Sequence, residues 1–430
     1  MSETVAPAIG ERAHSDVWAR VATERGLARA ALAVVALHVV DDSFLQPNPG
    51  TSATDHLAGG LVPLTLLVAA IWLYPSVRAG VRATIALLGG YLGVLGGVEA
   101  IHYTKEVGPS GDDYTGLLSI AAGLVLIGLG LTTLWRSRKG GRLWWRYGRR
   151  LLIAAGTIVV AALVLFPTSF SYAITHAARP YVPTADLGAP YKDVEFKTSD
   201  GLLLKGWYIE SRNGAAVISF PGRAGSQSRA KMMADHGYGV LLFDRRGEGE
   251  SEGDPNLLGW QGERDVHAAV RFLQSRPDVD PEKIGGIGLS VGGCFDHHLA
   301  AESDALKAIM SEGASARSVK DNWANGGSRW DELVGLGIFT AASAVFTSNL
   351  PPADLKGLVP RISGATFFVY GENGQPDEKP ANEGFYEQAR GHRDIWEVPG
   401  SGHMKGIEAQ PQEYERRVVE FFDQALLKVR

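Results

Sequence analysis

A serine hydroxyl is a weak nucleophile until the backbone lifts it into the open and a base takes its proton. Residues 283–293 read K-I-G-G-I-G-L-S-V-G-G, an apolar stretch running into the G-x-S-x-G pentapeptide Gly288–Gly292. A strand that turns sharply into a helix needs small residues on both sides of the apex, and the two glycines remove the side chains that would block it. Ser290 at that apex is the candidate nucleophile for attack on a carbonyl carbon. The helix starting after it aims its first amides at the site, so the Val291 N–H is a candidate donor to a developing oxyanion. Cys294, His297 and His298 lie further along that helix and read as packing or solvent contacts. No P-loop, no G-x-G-x-x-G after a strand and no H-E-x-x-H occurs, which leaves nucleotide and zinc-protease chemistry without support.

The elements that must position Ser290 follow from the pattern around it. Val194–Thr198 and Leu202–Ile209 flank a Ser199-Asp200-Gly201 turn and read as an antiparallel hairpin. Short apolar strands are then expected at Val217–Phe220, Val240–Phe243, Ile284–Leu289, Ala308–Met310 and Thr366–Val369. Amphipathic helices are expected at Ser228–His236, Trp260–Gln274, Gly292–Ala301, Ala381–Arg390 and Gln412–Val429. Alternation of this kind predicts an α/β domain over residues 191–430, with a mostly parallel sheet and helices on both faces. Residues 314–364, between the Ala308–Met310 and Thr366–Val369 strands, form a long insertion that contains the apolar stretch Leu333–Phe346. It is expected to be a lid over the nucleophile or simple packing on the sheet, with Trp323 and Trp330 as pocket-lining or anchoring residues.

Two motifs carry a resemblance. The loop F-D-R-R-G-E-G-E-S over Phe243–Ser251 matches the pattern D-x-R-G-x-G-x-S, and the elbow at Ser290 matches the second. With them, residues from about 190 to 430 resemble the α/β-hydrolase superfamily of serine hydrolases, within its peptidase-like and dienelactone-hydrolase-like group. The resemblance implies a second oxyanion donor in Pro221-Gly222-Arg223-Ala224-Gly225, after the Val217–Phe220 strand; the backbone N–H of Arg223 is the residue expected. It also implies a catalytic order of Ser, acid, His. His403, in Pro399-Gly400-Ser401-Gly402-His403 between an expected strand at Asp394–Val398 and the final helix, is the expected general base. His392 precedes that strand and reads as surface. The acid usually stands at the fourth position of a G-x-x-D segment, where Gly371-Glu372-Asn373-Gly374 has glycine. Asp377 is the expected acid, with Glu378 and Glu372 next and Glu312, after the preceding strand, last.

Residues 1–170 are of a different kind. Apolar runs of about 20 residues are the signal of a membrane span, and Leu57–Tyr74, Ala83–Tyr103, Thr115–Trp135 and Leu151–Phe170 qualify. Leu27–Leu45 is a fifth, broken by Arg29, His38, Asp41 and Asp42, with an interfacial helix as its alternative reading. Arg78 and Arg82 follow the second run, and Arg136, Arg138, Lys139, Arg142, Arg146, Arg149 and Arg150 follow the fourth. The intervening loops carry Asp41, Asp42, Asp55, Glu106, Asp112 and Asp113. By the positive-inside rule this predicts five spans, a cytoplasmic leader over 1–26, a transmembrane domain over 27–170, and a linker over 171–190 leading to a domain outside the cytoplasm. Gly89, Gly93 and Gly97 form a row for close helix packing. His38, Asp41, Asp42, His56, Glu99 and His102 fall in the outer half of this bundle. Their spacing is no known metal motif, so neither metal nor cofactor is expected.

Composition agrees with two unlike parts. The chain of 430 residues has a mean hydropathy of −0.02 and a net charge of −5, but residues 1–170 carry +3 and the remainder −8. A single cysteine, Cys294, excludes an intrachain disulfide framework, and a pI near 6.1 gives no sign of nucleic-acid binding. The whole reads as a membrane-anchored serine hydrolase acting on a small-molecule or lipid-like ester or amide through Ser290, His403 and Asp377. Acyl transfer at the same site, and a non-catalytic membrane sensor or binding protein, are the alternatives.

Overall fold

The structure, a computed structural model, describes residues 23–46, 51–106, 111–136, 143–177, 182–315 and 330–428. The chain divides into two compact units. One is Met1–Pro47, Ser52–Ala173 and Val345–Ser348; the other is Asn48–Thr51, Ile174–Ala344 and Asn349–Arg430.

The second unit is built on one sheet of eight strands: β1 Lys192–Lys197, β2 Leu203–Ile209, β3 Ala216–Phe220, β4 Gly239–Phe243, β5 Ile284–Leu289, β6 Ala308–Glu312, β7 Ala365–Asn373 and β8 Arg393–Gly402. Their spatial order is β1-β2-β4-β3-β5-β6-β7-β8; β1–β2 and β2–β4 are antiparallel and the rest parallel. The hairpin and every strand expected from the sequence are present. β3, β4, β5 and β6 are buried along their whole length, as strands covered on both faces must be. Helices Gly262–Gln274 and Val291–Glu302 cover one face, over a core that includes Ile218, Phe243, Val266, Leu273, Leu299 and Phe368. Gln227–Asp235 and Pro411–Phe422 cover the other, over Val217, Met233, Val240, Ile287, Tyr414 and Phe422. β8 is longer than its apolar stretch Asp394–Val398 suggested. It continues through Pro399–Gly402, with Gly400 at φ +70° and Asn373 paired to Gly402 across a register shift. The residue at its end is His403.

The first unit is helical. Its elements are α1 Glu24–Val40, α2 Leu57–Leu73, α3 Ala79–Glu106, α4 Gly111–Arg136, α5 Leu143–Val160 and α6 Phe166–Thr175, the last two joined by a π-helical turn at Ala161–Leu165. Among the described residues, three stretches are long and apolar enough to cross a membrane: Ala79–Ile101, Tyr114–Arg136 and Leu151–Thr175. Of the other two expected spans, α2 is shorter, at 17 residues or about 25 Å against a hydrocarbon core of about 30 Å, and α1 runs on through a π-helical turn at Asp41–Leu45. The third stretch outruns its expected end at Phe170. Pro167 lies inside this continuous helical run, directly past the π-helical turn, the kind of irregularity that accompanies a proline within a helix. The glycine row does what its spacing implies. A Cβ on Gly97 would lie 2.1 Å from Ile120 Cγ1 and 2.5 Å from the Gly116 carbonyl oxygen, so α3 and α4 meet backbone to backbone.

Candidate functional site

Ser290 has φ 52° and ψ −117°, a conformation that costs an L-residue about 1–3 kcal/mol and persists only where its surroundings enforce it. They do so here. A Cβ on Gly288 would sit 2.4 Å from Gly293 Cα, and one on Gly292 would sit 2.5 Å from Phe220 Cδ1. The Ser290 N–H donates to the Glu312 carbonyl oxygen at 2.8 Å, which ties the elbow to the end of β6. Val291 opens the following helix, as its expected role in the oxyanion hole requires.

His403 arrives from the far edge of the sheet. Its Nε2 is 3.1 Å from Ser290 Oγ, and its Nδ1 is hydrogen-bonded to Glu378 Oε1. The carboxylate facing the histidine is therefore that of Glu378, and the expectation for Asp377 is corrected. Asp377 takes the N-cap position of the helix Glu378–Gln388, and no cap hydrogen bond runs to its side chain. Glu378 begins that helix and is buried, accepting from the Gln375 N–H at 2.9 Å. Burial raises its carboxyl, but the His403 and Gln375 hydrogen bonds outweigh this and hold it below the usual carboxylate range. The glycine at 374 now has a reason: a Cβ there would lie 2.3 Å from Glu378 Oε2. The glutamate carboxylate fills the space that a side chain at 374 would need.

Of the other carboxylates considered, Glu372 accepts from the Gly400 N–H at the surface. Glu312 is buried against Arg229 and Tyr414. The second oxyanion donor also needs correction. The Arg223 backbone N–H is already given to Asp244 Oδ1 at 3.0 Å, and its guanidinium binds Asp244 Oδ2 and Glu250. The D-x-R-G loop is pinned in the same manner: Arg246 pairs with the fully buried Asp265 and with Asp200.

The remaining candidates stay apart from this array. Cys294 is buried, with its thiol 3.7 Å from the Ser290 carbonyl oxygen. His297 stacks on Phe368, and burial pushes its imidazole down to about 4, so it is neutral at physiological pH. His298 reaches Glu302 at 3.0 Å, and His392 lies at the surface near Asp394. In the helical unit, His38 Nδ1 lies 3.2 Å from Thr115 Oγ1, which donates to Asp41 Oδ2 at 2.7 Å; Tyr172 donates to Glu99. No group of three metal-binding side chains occurs among the described residues. Trp323 and the side chains of Trp330 and His102 lie outside the described residues.

An eight-stranded sheet in this order, with a strained serine after β5 and a histidine after β8, has one reading once sequence relatives are added. The profile of the X-Pro dipeptidyl-peptidase (S15 family) matches residues 163–361. The C-terminal unit is α/β-hydrolase-like. Among curated relatives, this chain is similar to the uncharacterized protein Rv2307c of Mycobacterium tuberculosis, 35% identical over 169 residues, which cover 37% of this chain and 59% of that one. It is also similar to the polyketide transferase grgF of Penicillium sp, 36% identical over 143 residues, covering 30% and 49%. The chain thus spans about half the length of the curated relatives it matches. An esterase of Pyrococcus furiosus is a solved structure with a similar fold, at TM-score 0.48 and 25% identity, covering 58% of this chain and 98% of that one.

Proposed function

We propose that this protein is a membrane-anchored serine hydrolase that cleaves an ester or amide bond through an acyl-enzyme, with Ser290, His403 and Glu378 as its triad. The observation that carries the reading is the continuous line Ser290 Oγ–His403 Nε2, His403 Nδ1–Glu378 Oε1. In it, Ser290 Oγ attacks the carbonyl carbon as His403 Nε2 takes the hydroxyl proton. The tetrahedral oxyanion forms beside the Val291 N–H. Its collapse breaks the bond to the leaving alcohol or amine, which receives the proton from His403. Water then repeats the sequence, giving its proton to His403 and releasing the acid. Glu378 accepts the Nδ1–H throughout, which fixes the tautomer and offsets the imidazolium charge.

Acyl transfer uses the same steps with an alcohol or thiol in place of water. The similarity to a polyketide transferase supports keeping it as the second reading. Membrane anchoring draws support from the three long apolar stretches and from the many apolar side chains they expose, such as Leu152, Ile158 and Phe166. A five-span topology would add α1 and α2 as a hairpin, with the N-terminus in the cytoplasm and the hydrolase outside.

The test is covalent labelling of membranes with a fluorophosphonate probe. The wild type is expected to label, and Ser290→Ala and His403→Ala to lose the signal. Labelling that persists in Ser290→Ala, or is absent from the wild type, would overturn the proposal.

A further inference from the structure

We propose that Arg229, Glu312 and Tyr414 are positioning residues that keep the His403 turn in register with the Ser290 elbow, an inference that rests on the serine-hydrolase reading. All three side chains are buried. Arg229 Nη2 donates to Glu312 Oε2 at 2.8 Å, Arg229 Nε donates to the Tyr414 hydroxyl at 3.0 Å, and that hydroxyl donates to Glu312 Oε2 at 2.7 Å. The contacts leaving this trio are what give it a role. Arg229 Nη2 also donates to the Met404 carbonyl oxygen at 2.8 Å, and Glu312 Oε1 accepts the Gly406 N–H at 2.7 Å. Met404 follows His403 directly and has φ +58°, a left-handed turn that a methionine does not adopt without support.

Glu312 therefore touches both halves of the site. Its carbonyl oxygen takes the Ser290 N–H, and its carboxylate takes the amide three residues past His403. A buried ion pair is weak evidence for stability, since apolar side chains of similar size often serve as well. Apolar side chains cannot, however, donate to Met404 or accept from Gly406. Burial works against the Arg229 charge, but its partners Tyr414 and Glu312 outweigh it; burial, with Glu312, keeps Tyr414 protonated, so the donor pattern does not change across the working pH range. The demand on the trio is geometric, because a reacting group misplaced by about 1 Å loses on the order of 100-fold in rate.

The experiment compares the full chain in detergent micelles with Glu312→Gln, Arg229→Lys, Tyr414→Phe and Ser290→Ala. Hydrolysis of p-nitrophenyl butyrate is the assay, with the folded fraction of each variant measured by thermal melting. Glu312→Gln and Arg229→Lys are expected to lower kcat per folded molecule by about 10- to 100-fold, with KM changed less than about 2-fold. Tyr414→Phe is expected to lose less. Wild-type kcat in the three variants beside an inactive Ser290→Ala would overturn the positioning role and leave the hydrolase reading intact. A wild type no faster than Ser290→Ala would overturn both. Should Glu312→Gln fail to fold, Tyr414→Phe and Arg229→Lys decide: activity that falls only in proportion to the folded fraction sinks the proposal.

Discussion

A glutamate carries its carboxylate one methylene farther from the backbone than an aspartate, so a triad can draw its acid from a different backbone position. Glu378 does this. Its carboxylate lies where a side chain on Gly374 would point, and it meets His403 from the first turn of a helix. Glu378→Gln is expected to lower kcat by about 10²- to 10⁴-fold, because an amide facing Nδ1 favours the wrong tautomer. Asp377→Asn is expected to stay within about 3-fold, since Asp377 does not face the histidine. Gly374→Asp collides with Glu378 in the wild-type background. Combined with Glu378→Ala it is expected to recover part of the lost rate, as steady-state kinetics of the four variants would reveal. Glu378 also gives a signed pH effect. Its folded carboxyl lies below the ordinary 4.5, so its contribution to stability is present above that value and is lost as pH falls through the lower one. The melting-temperature gap between wild type and Glu378→Gln should therefore narrow in acid; a gap that widens below pH 4.5 would contradict the assignment. Ser290 and His403 were legible in the sequence because local backbone chemistry demands the glycines around them. The carboxylate that faces His403 was legible only as the choice after Asp377, because it depends on side-chain reach across the loop 374–378. The available signal was glycine in the usual aspartate position with a glutamate four residues on.

The elbow stores strain only because the strand and helix around it leave no other path. Gly288 faces the backbone of Gly293 at 2.4 Å, whereas Gly292 faces the ring of Phe220, a buried side chain rather than backbone. Gly288→Ala is thus expected to cost about 1–3 kcal/mol of stability and Gly292→Ala less, measured by denaturant unfolding of the detergent-solubilised chain. The helix behind the elbow carries a second liability. Asp296 is fully buried with both carboxylate oxygens unpartnered, and burial raises its carboxyl well above the ordinary 3.8. A raised acid makes the folded state hold its proton more tightly than the unfolded state, so stability is lost as pH climbs above the unfolded value. Asp296→Asn removes that loss. Its melting temperature should gain on the wild type as pH rises from about 4 to 8, and parallel curves would refute the argument. The elements themselves were mostly readable. Strands buried on both faces announce themselves as short apolar runs, and the helices between them as amphipathic ones. What periodicity missed was irregular backbone: the Gly400 bulge that extends β8 to Gly402, and the proline inside the Leu151–Thr175 stretch.

At the scale of the whole molecule, counting spans and placing the termini are separate questions. Ala79–Ile101, Tyr114–Arg136 and Leu151–Thr175 alone would put the two ends of the chain on opposite sides, and adding α1 and α2 as a hairpin leaves that parity unchanged. Placement of the hydrolase therefore rests on the charges. By the positive-inside rule Arg78 and Arg82, just before and in the first turn of α3, and the basic cluster Arg136–Arg150, from the end of α4 into α5, are expected inside, with Glu106, Asp112 and Asp113 expected outside. The undecided element is the α1–α2 pair. If it crosses, the turn at Thr54 is outside; if it lies along the inner surface, Thr54 is inside with Ser76. The chain offers a clean assay, because its one cysteine, Cys294, is buried. Single cysteines at the exposed positions Thr54, Ser76 and Asp193 can be probed with a membrane-impermeant maleimide in intact cells. Asp193→Cys in the hydrolase unit is expected to label from outside and Ser76→Cys only after permeabilisation. Thr54→Cys is expected to follow Asp193→Cys, since the acidic loop Asp41, Asp42 and Asp55 lacks the basic residues that hold a loop inside. Thr54→Cys labelling only with Ser76→Cys would reduce the bundle to three spans and keep the hydrolase outside. Asp193→Cys protected in intact cells would move the hydrolase to the cytoplasm.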